Sequence, residues 1–363
     1  MNYLFVLGKN PVLSKAEIYH YFKNRKINFE FIKEFENILE VKTDRNIGNI
    51  IDELGGTIKI AVPLNLDELH NYEKIKIGLS VYPKSNSEYK NVKKHILNDL
   101  KKQKIKAIFS SPKFHGHTDL KHFEVLKILK KNGVEIISFD SKFYKTVQVH
   151  NPFAFKKRDV ERPRQRPIYS IPPRLARIMI NLVALPGQKL LDPFCGIGTI
   201  LQEALISSMD VYGLDKNKKC LDDAKINLNW LGFEKFNLIE GDATKLSNYL
   251  NRDSIDVIVT EPYLGQPLKS NPSIHQAEKI LNDVTKLFES FLSEAHKVMK
   301  DRAKICMITP LFVVKEGKTA RINMEDLCKK TKFKIIELLP NHKSIVDAEE
   351  RHKTKREIWV LEK

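Results

Sequence analysis

Cysteine is scarce. Four residues, Cys195, Cys220, Cys306 and Cys328, stand among 363, and no two of them form a C-x-x-C pair. That argues against a disulfide framework or a cysteine-built zinc site and suits a reducing compartment. Long apolar runs are missing too, since none reaches the roughly 18 residues that a membrane span needs. The opening Met1-Asn2-Tyr3-Leu4-Phe5-Val6-Leu7-Gly8 lacks the basic leader of a secretory signal and reads as a first strand, so a cytoplasmic setting is expected. Convincing repeats and low-complexity tracts are absent. Acid is in deficit: 45 Asp and Glu face 62 Lys and Arg, a net +17. Such an excess of base favours a polyanionic partner, nucleic acid before membrane.

What is present is ordinary globular composition, 42% apolar and 29% charged, at a length suited to two or three domains. From Lys189 onward, short runs rich in Val, Ile and Leu alternate with helical stretches. The runs are Lys189–Phe194, Asp210–Asp215, Asn237–Asp242, Ile255–Thr260, Ala303–Thr309, Lys334–Leu339 and Glu357–Glu362. The helices are Thr199–Met209, Lys216–Trp230 and Ser273–Lys300. This alternation predicts an α/β domain over 174–363 with a doubly wound, mostly parallel sheet, and it leaves the direction of the last strand open.

Upstream the elements are mixed. A strand at Tyr3–Leu7 precedes a helix at Ser14–Phe22, with Ser14 and Glu17 spaced as a capping box. Strand Lys76–Val81, basic helix Glu88–Gln103, strand Ala107–Ser110, helix Asp119–Lys131 and strands Val134–Ser138 and Tyr144–Val149 follow. The pattern predicts an α+β module at 76–150 with an extra region, 1–75, in front. A linker at 151–173 joins the halves. It holds Pro152, Pro163, Pro167, Pro172 and Pro173 and the run Lys156-Lys157-Arg158-Asp159-Val160-Glu161-Arg162-Pro163-Arg164-Gln165-Arg166. Proline fixes φ and removes a donor, so an extended surface connection is expected there rather than a helix.

The most informative stretch is Leu190-Leu191-Asp192-Pro193-Phe194-Cys195-Gly196-Ile197-Gly198-Thr199-Ile200. A strand ends in an acid, a glycine loop follows and a helix begins, which lets backbone approach a ligand closely. The Gly-Lys-Ser/Thr of a phosphate loop is absent, and so is the third glycine of a dinucleotide fingerprint. Asp215 closes a second strand 23 residues after Asp192, a spacing suited to ribose hydroxyls. Asp242 closes a third and could accept a hydrogen bond from an adenine amine. One strand-end acid is usually a helix N-cap, but three on one sheet edge suit an adenosine ligand that carries an amino acid.

Asp192-Pro193-Phe194-Cys195-Gly196-Ile197-Gly198-Thr199 resembles motif I of class I S-adenosylmethionine-dependent methyltransferases, in the branch acting on exocyclic amines. The resemblance implies a Rossmann-like fold and S-adenosylmethionine as cofactor. It implies that Asp192 and the loop Pro193, Phe194, Cys195, Gly196, Gly198 and Thr199 hold the methionine part, Asp215 the ribose, and Asp242 with Ala243 the adenine.

Those enzymes carry Asp/Asn-Pro-Pro-Tyr/Phe after the next strand. This chain carries Thr260-Glu261-Pro262-Tyr263-Leu264-Gly265. Aligned without gaps on Thr260 and Gly265, Glu261 takes the acid position, Pro262 the first proline, Tyr263 the second and Leu264 the aromatic. A shift of one residue would put Thr260 in the acid position instead. The amine's lone pair is delocalised into its ring. A carboxylate accepting its N–H bonds would localise that pair toward the methyl, and an aromatic would clamp the base. Glu261, Pro262 and Tyr263 are the candidate catalytic residues.

The opening Gly8-Lys9-Asn10-Pro11-Val12-Leu13-Ser14-Lys15-Ala16-Glu17, the linker segment Arg158-Asp159 to Arg162-Pro163, Ile171–Leu182 and Arg356-Glu357-Ile358-Trp359-Val360 resemble archaeal-type tRNA guanine-N2 methyltransferases. The resemblance implies an N-terminal ferredoxin-like region, a THUMP RNA-binding domain that holds the acceptor end of tRNA, and a guanine N2 target, position ten by analogy. Lys90, Lys93, Lys94, Lys101, Lys102, Lys104 and Lys106 load one helix and its exit and would neutralise phosphates. With the linker's Lys156, Lys157, Arg158, Arg162 and Arg164 they are the candidate RNA contacts. His115, His117 and His122 cluster without acidic or cysteine partners, so no metal is expected. A monomer with tRNA as partner is the expected form. Two other functions stay open: a DNA adenine-N6 or cytosine-N4 methyltransferase, and a catalytically silent RNA-binding homologue.

Overall fold

A computed structural model describes residues 1–112, 118–166, 170–348 and 353–363. The described chain divides into two units, one of residues 1–15 and 26–155, the other of residues 16–25 and 156–363. In chain order the elements of the first half are β1 (Asn2–Leu7), α1 (Pro11–Asn24), β2 (Phe29–Phe35), β3 (Ile38–Thr43), β4 (Thr57–Pro63), β5 (Lys74–Tyr82), α2 (Asn86–Lys102), β6 (Lys106–Ser110), α3 (His122–Leu129), β7 (Val134–Phe139) and β8 (Lys142–Val149). Next come α4 (Pro152–Val160), α5 (Pro173–Val183), β9 (Lys189–Asp192), α6 (Thr199–Ile206), β10 (Asp210–Asp215), α7 (Lys218–Trp230), β11 (Asn237–Glu240) and β12 (Ile255–Thr260). The chain finishes with α8 (Ile274–Val298), β13 (Met299–Val313), β14 (Thr319–Arg321), α9 (Met324–Thr331), β15 (Lys334–Ile336), β16 (Ser344–Asp347) and β17 (Thr354–Glu362).

The first unit is one eight-stranded sheet ordered β2-β3-β1-β4-β8-β7-β5-β6. Its outer four strands are antiparallel throughout, and a single 3-10 turn at Ile51–Glu53 stands between β3 and β4. Read inward-out they run 4-1-3-2, the split βαβ order of ferredoxin-like folds with the second helix cut to that turn. On the other side β5 pairs in parallel with β6 and β7. Parallel strands need long crossovers, which α2 and α3 supply. The expected boundary at 75/76 does not separate two sheets: β4 pairs with β8, and β5 already starts at Lys74.

A buried polar knot crosses the middle of this sheet. Glu135 on β7 accepts from Lys59 Nζ on β4 at 2.5 Å, from Ser80 Oγ on β5 at 2.6 Å and from Thr146 Oγ1 on β8 at 2.6 Å. Lys59 also donates to Leu120 O at 2.8 Å. One carboxylate thus ties four neighbouring strands, and both buried charges are matched.

Helix α1 starts three residues earlier than its capping-box spacing suggests. Asn10 Oδ1 accepts from Leu13 N at 3.2 Å and Pro11 takes the first turn, where its missing N–H costs nothing. Ser14 is therefore a buried helix-interior residue whose hydroxyl lies 2.9 Å from Gly56 O, and Glu17 accepts from Asn181 Nδ2 at 2.7 Å.

The second unit holds a sheet ordered β11-β10-β9-β12-β13-β17-β15, with β14 on β13 and β16 on β17. Numbered within the unit this is 3-2-1-4-5-7-6. Strands β9 to β13 are parallel, and β17 enters antiparallel between β13 and β15, which answers the direction question for the last strand. The order reverses between β9 and β12, and the crevice beyond the carboxyl ends of strands at such a switch point is where open α/β sheets bind ligands. Helix α8, opened by a capping box of Ser273 and Gln276, buries Phe288, Phe291 and Leu292 against this sheet, and Phe194 of the glycine loop meets Phe291 edge-on at 5.4 Å.

The linker corrects an expectation. Its first part is helical, not extended: α4 covers Lys156, Lys157 and Arg158, because the prolines bracket it instead of interrupting it. Pro152 occupies the first turn, Asn151 Oδ1 accepts from Phe153 N at 3.0 Å, and Pro163 comes after the last turn. Pro167 lies outside the described residues.

Candidate active site

Strands β9, β10 and β12 and the turn after β11 each bring an acid to one edge of the sheet. Asp192, the last residue of β9, is only 2% exposed and lies behind the crevice wall, not on it. Its Oδ1 accepts from Phe194 N at 3.2 Å and from Thr260 Oγ1 at 2.8 Å. Burial, with some help from the charges of Asp215 and Glu261, pushes its carboxyl up to about 7 despite those bonds. Asp192 is thus a buried brace between the glycine loop and β12, set behind the residues that line the crevice.

A pH dependence follows. A folded-state value above the unfolded one means that ionising Asp192 costs stability progressively between about pH 4 and pH 7, and by a constant amount above. Asp192→Asn keeps the shape and removes the titration. Its stability relative to the parent should climb through that window by up to about 1.4 kcal/mol per pH unit and then level. Denaturant titrations across this range check it, and a flat or falling difference contradicts it.

The loop after β9 folds back on β10. Cys195 N donates to Leu214 O at 3.0 Å and Gly196 N to Asp215 Oδ2 at 2.9 Å. Gly196 and Gly198 sit at φ +51° and +85°, in the left-handed region that favours glycine. A Cβ on Gly198 would also come within 3.2 Å of Ala224 Cβ. Cys195 is buried against Gly213, and burial pushes its thiol well up, so it packs as a small neutral residue. Thr199 is buried as well, its hydroxyl accepting from Arg162 Nη1 at 2.6 Å.

Asp215 accepts from Asn217 N at 2.8 Å with its other oxygen. Asp242 caps the 3-10 turn Ala243–Asn248, and bonds from the Thr244 backbone N–H and hydroxyl hold its carboxyl below the usual range. Asp242 therefore both caps the turn and lines the crevice.

These groups surround one cavity of about 610 Å³, within the size range of cofactor sites. Of the residues singled out in the sequence, Pro193, Phe194, Gly196, Asp215, Asp242, Ala243, Glu261, Pro262 and Tyr263 line it, whereas Asp192, Cys195, Gly198 and Thr199 stand behind its wall. Glu261 faces the cavity, whereas Thr260 is fully buried and donates its hydroxyl to Asp192. Tyr263 is 47% exposed and Leu264 packs partly on the core. Glu261 is paired with Arg356, Nε to Oε1 at 2.5 Å and Nη2 to Oε2 at 3.4 Å.

Sequence patterns missed several lining residues: Arg166 and Ser170 from the linker, Lys216 and Cys220 beside β10, and Lys353, Thr354 and Arg356 at the start of β17. Ser170 Oγ is buried and has no hydrogen-bond partner among the described residues. Only the proline-rich setting of the first pair and the Arg356 motif hinted at them.

The basic residues separate into two groups. Lys94 and Lys101 are exposed on α2, and Lys93 lies over the Phe109 ring at 5.2 Å. Lys156 and Lys157 are exposed on α4, Lys157 lying 5.6 Å from the Trp230 ring. Arg158 and Arg162, also among the candidate RNA contacts, are engaged by side chains of their own unit. Arg158 Nε binds the buried Glu203 at 2.7 Å, a carboxylate shared with Arg177, and Arg162 is 4% exposed. Arg164 is exposed and 3.6 Å from Asp223. Among the described residues no group of His, Cys, Asp and Glu could hold a metal ion. His122 packs beside His150, while His115 and His117 lie outside the described residues.

A 3-2-1-4-5-7-6 sheet with acid-tipped strands, a glycine loop at its switch point and an acid-Pro-Tyr turn beside it defines a class I methyltransferase domain. Residues 162–315 match the family described as RMKL-like, methyltransferase domain, and residues 8–226 match one described as DNA methylase. The chain is 33% identical over 156 residues to a tRNA (guanine(10)-N2)-dimethyltransferase of Methanothermobacter thermautotrophicus, covering 42% of this chain and 43% of that one. It is 29% identical over 280 residues to the protein of the same name from Pyrococcus abyssi, covering 73% and 78%. The chain therefore spans less than half of the first relative and about three quarters of the second. Among solved structures, TrmN from Thermus thermophilus shares the fold, with TM-score 0.53, 16% identity and 100% of both chains covered. With 32% identity over 124 residues to a probable tRNA (guanine(10)-N2)-dimethyltransferase of Methanothermococcus thermolithotrophicus, covering 31% of this chain and 74% of that one, this chain belongs to the archaeal-type tRNA (guanine-N2)-methyltransferase family, whose cofactor is S-adenosylmethionine. No helix among the described residues is long and apolar enough to cross a membrane.

Proposed function

We propose that this protein transfers a methyl group from S-adenosylmethionine to the exocyclic N2 amine of a guanine in tRNA, at position ten by analogy with its relatives. The observation that carries the proposal is the single cavity lined jointly by Asp215, Asp242 and Glu261. The residues present fit the cofactor. The Gly196 position has open space where a Cβ would stand, Ser170 Oγ is a buried hydroxyl with no partner among the described residues, and carboxylates suit ribose hydroxyls and an adenine amine. Pro193, Phe194, Gly196 and Ser170 hold the methionine part, Asp215 the ribose, and Asp242 with Ala243 the adenine.

When bound, S-adenosylmethionine supplies an electrophilic methyl on a sulfonium. Glu261 accepts an N–H bond from the guanine amine, which localises the nitrogen lone pair for attack. As nitrogen gains the methyl, Glu261 takes the proton that nitrogen releases and passes it to solvent. Tyr263, half out of the cavity, stacks on the flipped base. The first unit serves as a THUMP-type RNA-binding module with a ferredoxin-like edge, and the protein works as a cytoplasmic monomer.

Labelled S-adenosylmethionine offered with unmodified tRNA and with duplex DNA tests this. N2-methylguanosine or its dimethyl form in tRNA is expected. Methylated adenine or cytosine in DNA would favour the DNA methylase family match at 8–226 instead, and no transfer would leave a silent homologue.

The two groups of basic residues make a separable prediction. Lys94→Ala should reduce the salt dependence of tRNA binding by about one unit of slope, the signature of a lost phosphate contact. Arg158→Ala should leave the slope unchanged and lower thermal stability, because it strips a partner from buried Glu203. Filter binding over a salt series and melting curves distinguish the two.

A further inference from the structure

Glu261 and Arg356 are 95 residues apart in sequence, yet both line the cavity and both are 12% exposed. Arg356 is held on β17 between two strands, in register with Pro310 of β13 and Asp347 of β16. Its fork meets both carboxylate oxygens of Glu261, a geometry that fixes the orientation of the carboxylate plane as a point charge would not.

The acid position explains why such a clamp matters. Glutamate carries one methylene and one rotatable bond more than the aspartate or asparagine usual there, so left alone its carboxylate would spread over several rotamers. Each carboxylate oxygen has two lone pairs, so a bond from Arg356 leaves room for the amine's N–H. We infer that Arg356 is the positioning residue of this site: it holds the Glu261 carboxylate where it accepts the target amine, and so makes a glutamate serviceable at that position. The inference rests on the role given to Glu261 above. Arg356 acts through Glu261, not on the reacting atoms.

Arg356→Ala, Arg356→Lys and Glu261→Gln, singly and combined in the full chain, test it with unmodified tRNA and S-adenosylmethionine. Arg356→Ala should lower kcat by about 30–100-fold, with KM for tRNA and cofactor affinity within about twofold of the parent. Arg356→Lys should recover part of the loss. In the Glu261→Gln background, Arg356→Ala should cost less than about threefold, because the group it positions has already been changed. Full activity in Arg356→Ala, equal losses in both backgrounds, or a change confined to KM would each overturn the inference. Should Arg356→Ala fail to fold, full kcat in Arg356→Lys, which keeps the charge and loses the fork, overturns it equally. A fully active Glu261→Gln would instead strike the role of Glu261 itself.

Discussion

Glutamine in place of Glu261 should lower methyl transfer by about 10²–10³-fold while leaving S-adenosylmethionine affinity within about twofold. The guanine amine is a weak nucleophile because its lone pair belongs to the ring. Only a group that strengthens its hold as positive charge develops on nitrogen accelerates the step. A carboxylate does so; a neutral amide of the same shape accepts the N–H bond in the ground state but gains little in the transition state. Asp215 and Asp242, the acids proposed to hold the cofactor, are separate side chains on other elements, so binding should survive. Single-turnover rates and calorimetric titration of the cofactor read the two effects independently. Parental rates would remove Glu261 from the mechanism, and parallel loss of cofactor binding would make it a structural residue.

Glu135→Ala should destabilise the first unit by about 3–5 kcal/mol. The substitution strands the Lys59 ammonium in the middle of an eight-stranded sheet with only Leu120 O and removes the acceptor for Ser80 and Thr146. Replacing the pair together, Lys59→Met with Glu135→Leu, should recover much of that loss, because no charge remains to desolvate. tRNA binding should weaken in Glu135→Ala at temperatures where cofactor binding persists, since the described residues that line the cavity all belong to the second unit. Calorimetric melting with tRNA and cofactor titrations measures this, and a variant that melts with its parent would contradict it.

The parallel half of the fold was legible because buried parallel strands read as continuous apolar runs: β10 and β12 have the bounds that their composition predicts. Strands β2, β3 and β4 were not. β2 mixes Glu30, Lys33 and Glu34 with its aromatics and lies largely exposed, so no clear period marks it. Helix α4 was hidden because its prolines looked like breakers, whereas one starts it and the next falls beyond it.

At the site, the acids and the glycine loop announced themselves by their places at strand ends. Which of them reach the cavity was not announced: Asp192 carries the motif's most conspicuous acid yet is sealed behind Phe194 and Thr260. Arg356 was noted only as part of a resemblance. Its place opposite Glu261 depends on β17 entering the sheet antiparallel, a tertiary event that no local spacing encodes. The same holds for Lys59 and Glu135, 76 residues apart.

A crystal structure of the protein with S-adenosylhomocysteine tests the central proposition most directly. The nucleoside should lie in the 610 Å³ cavity with its ribose hydroxyls on Asp215, its adenine amine near Asp242, and its sulfur turned toward Glu261. A ligand bound elsewhere, or one whose sulfur points away from Glu261, would refute a methyl-transfer site built on this crevice.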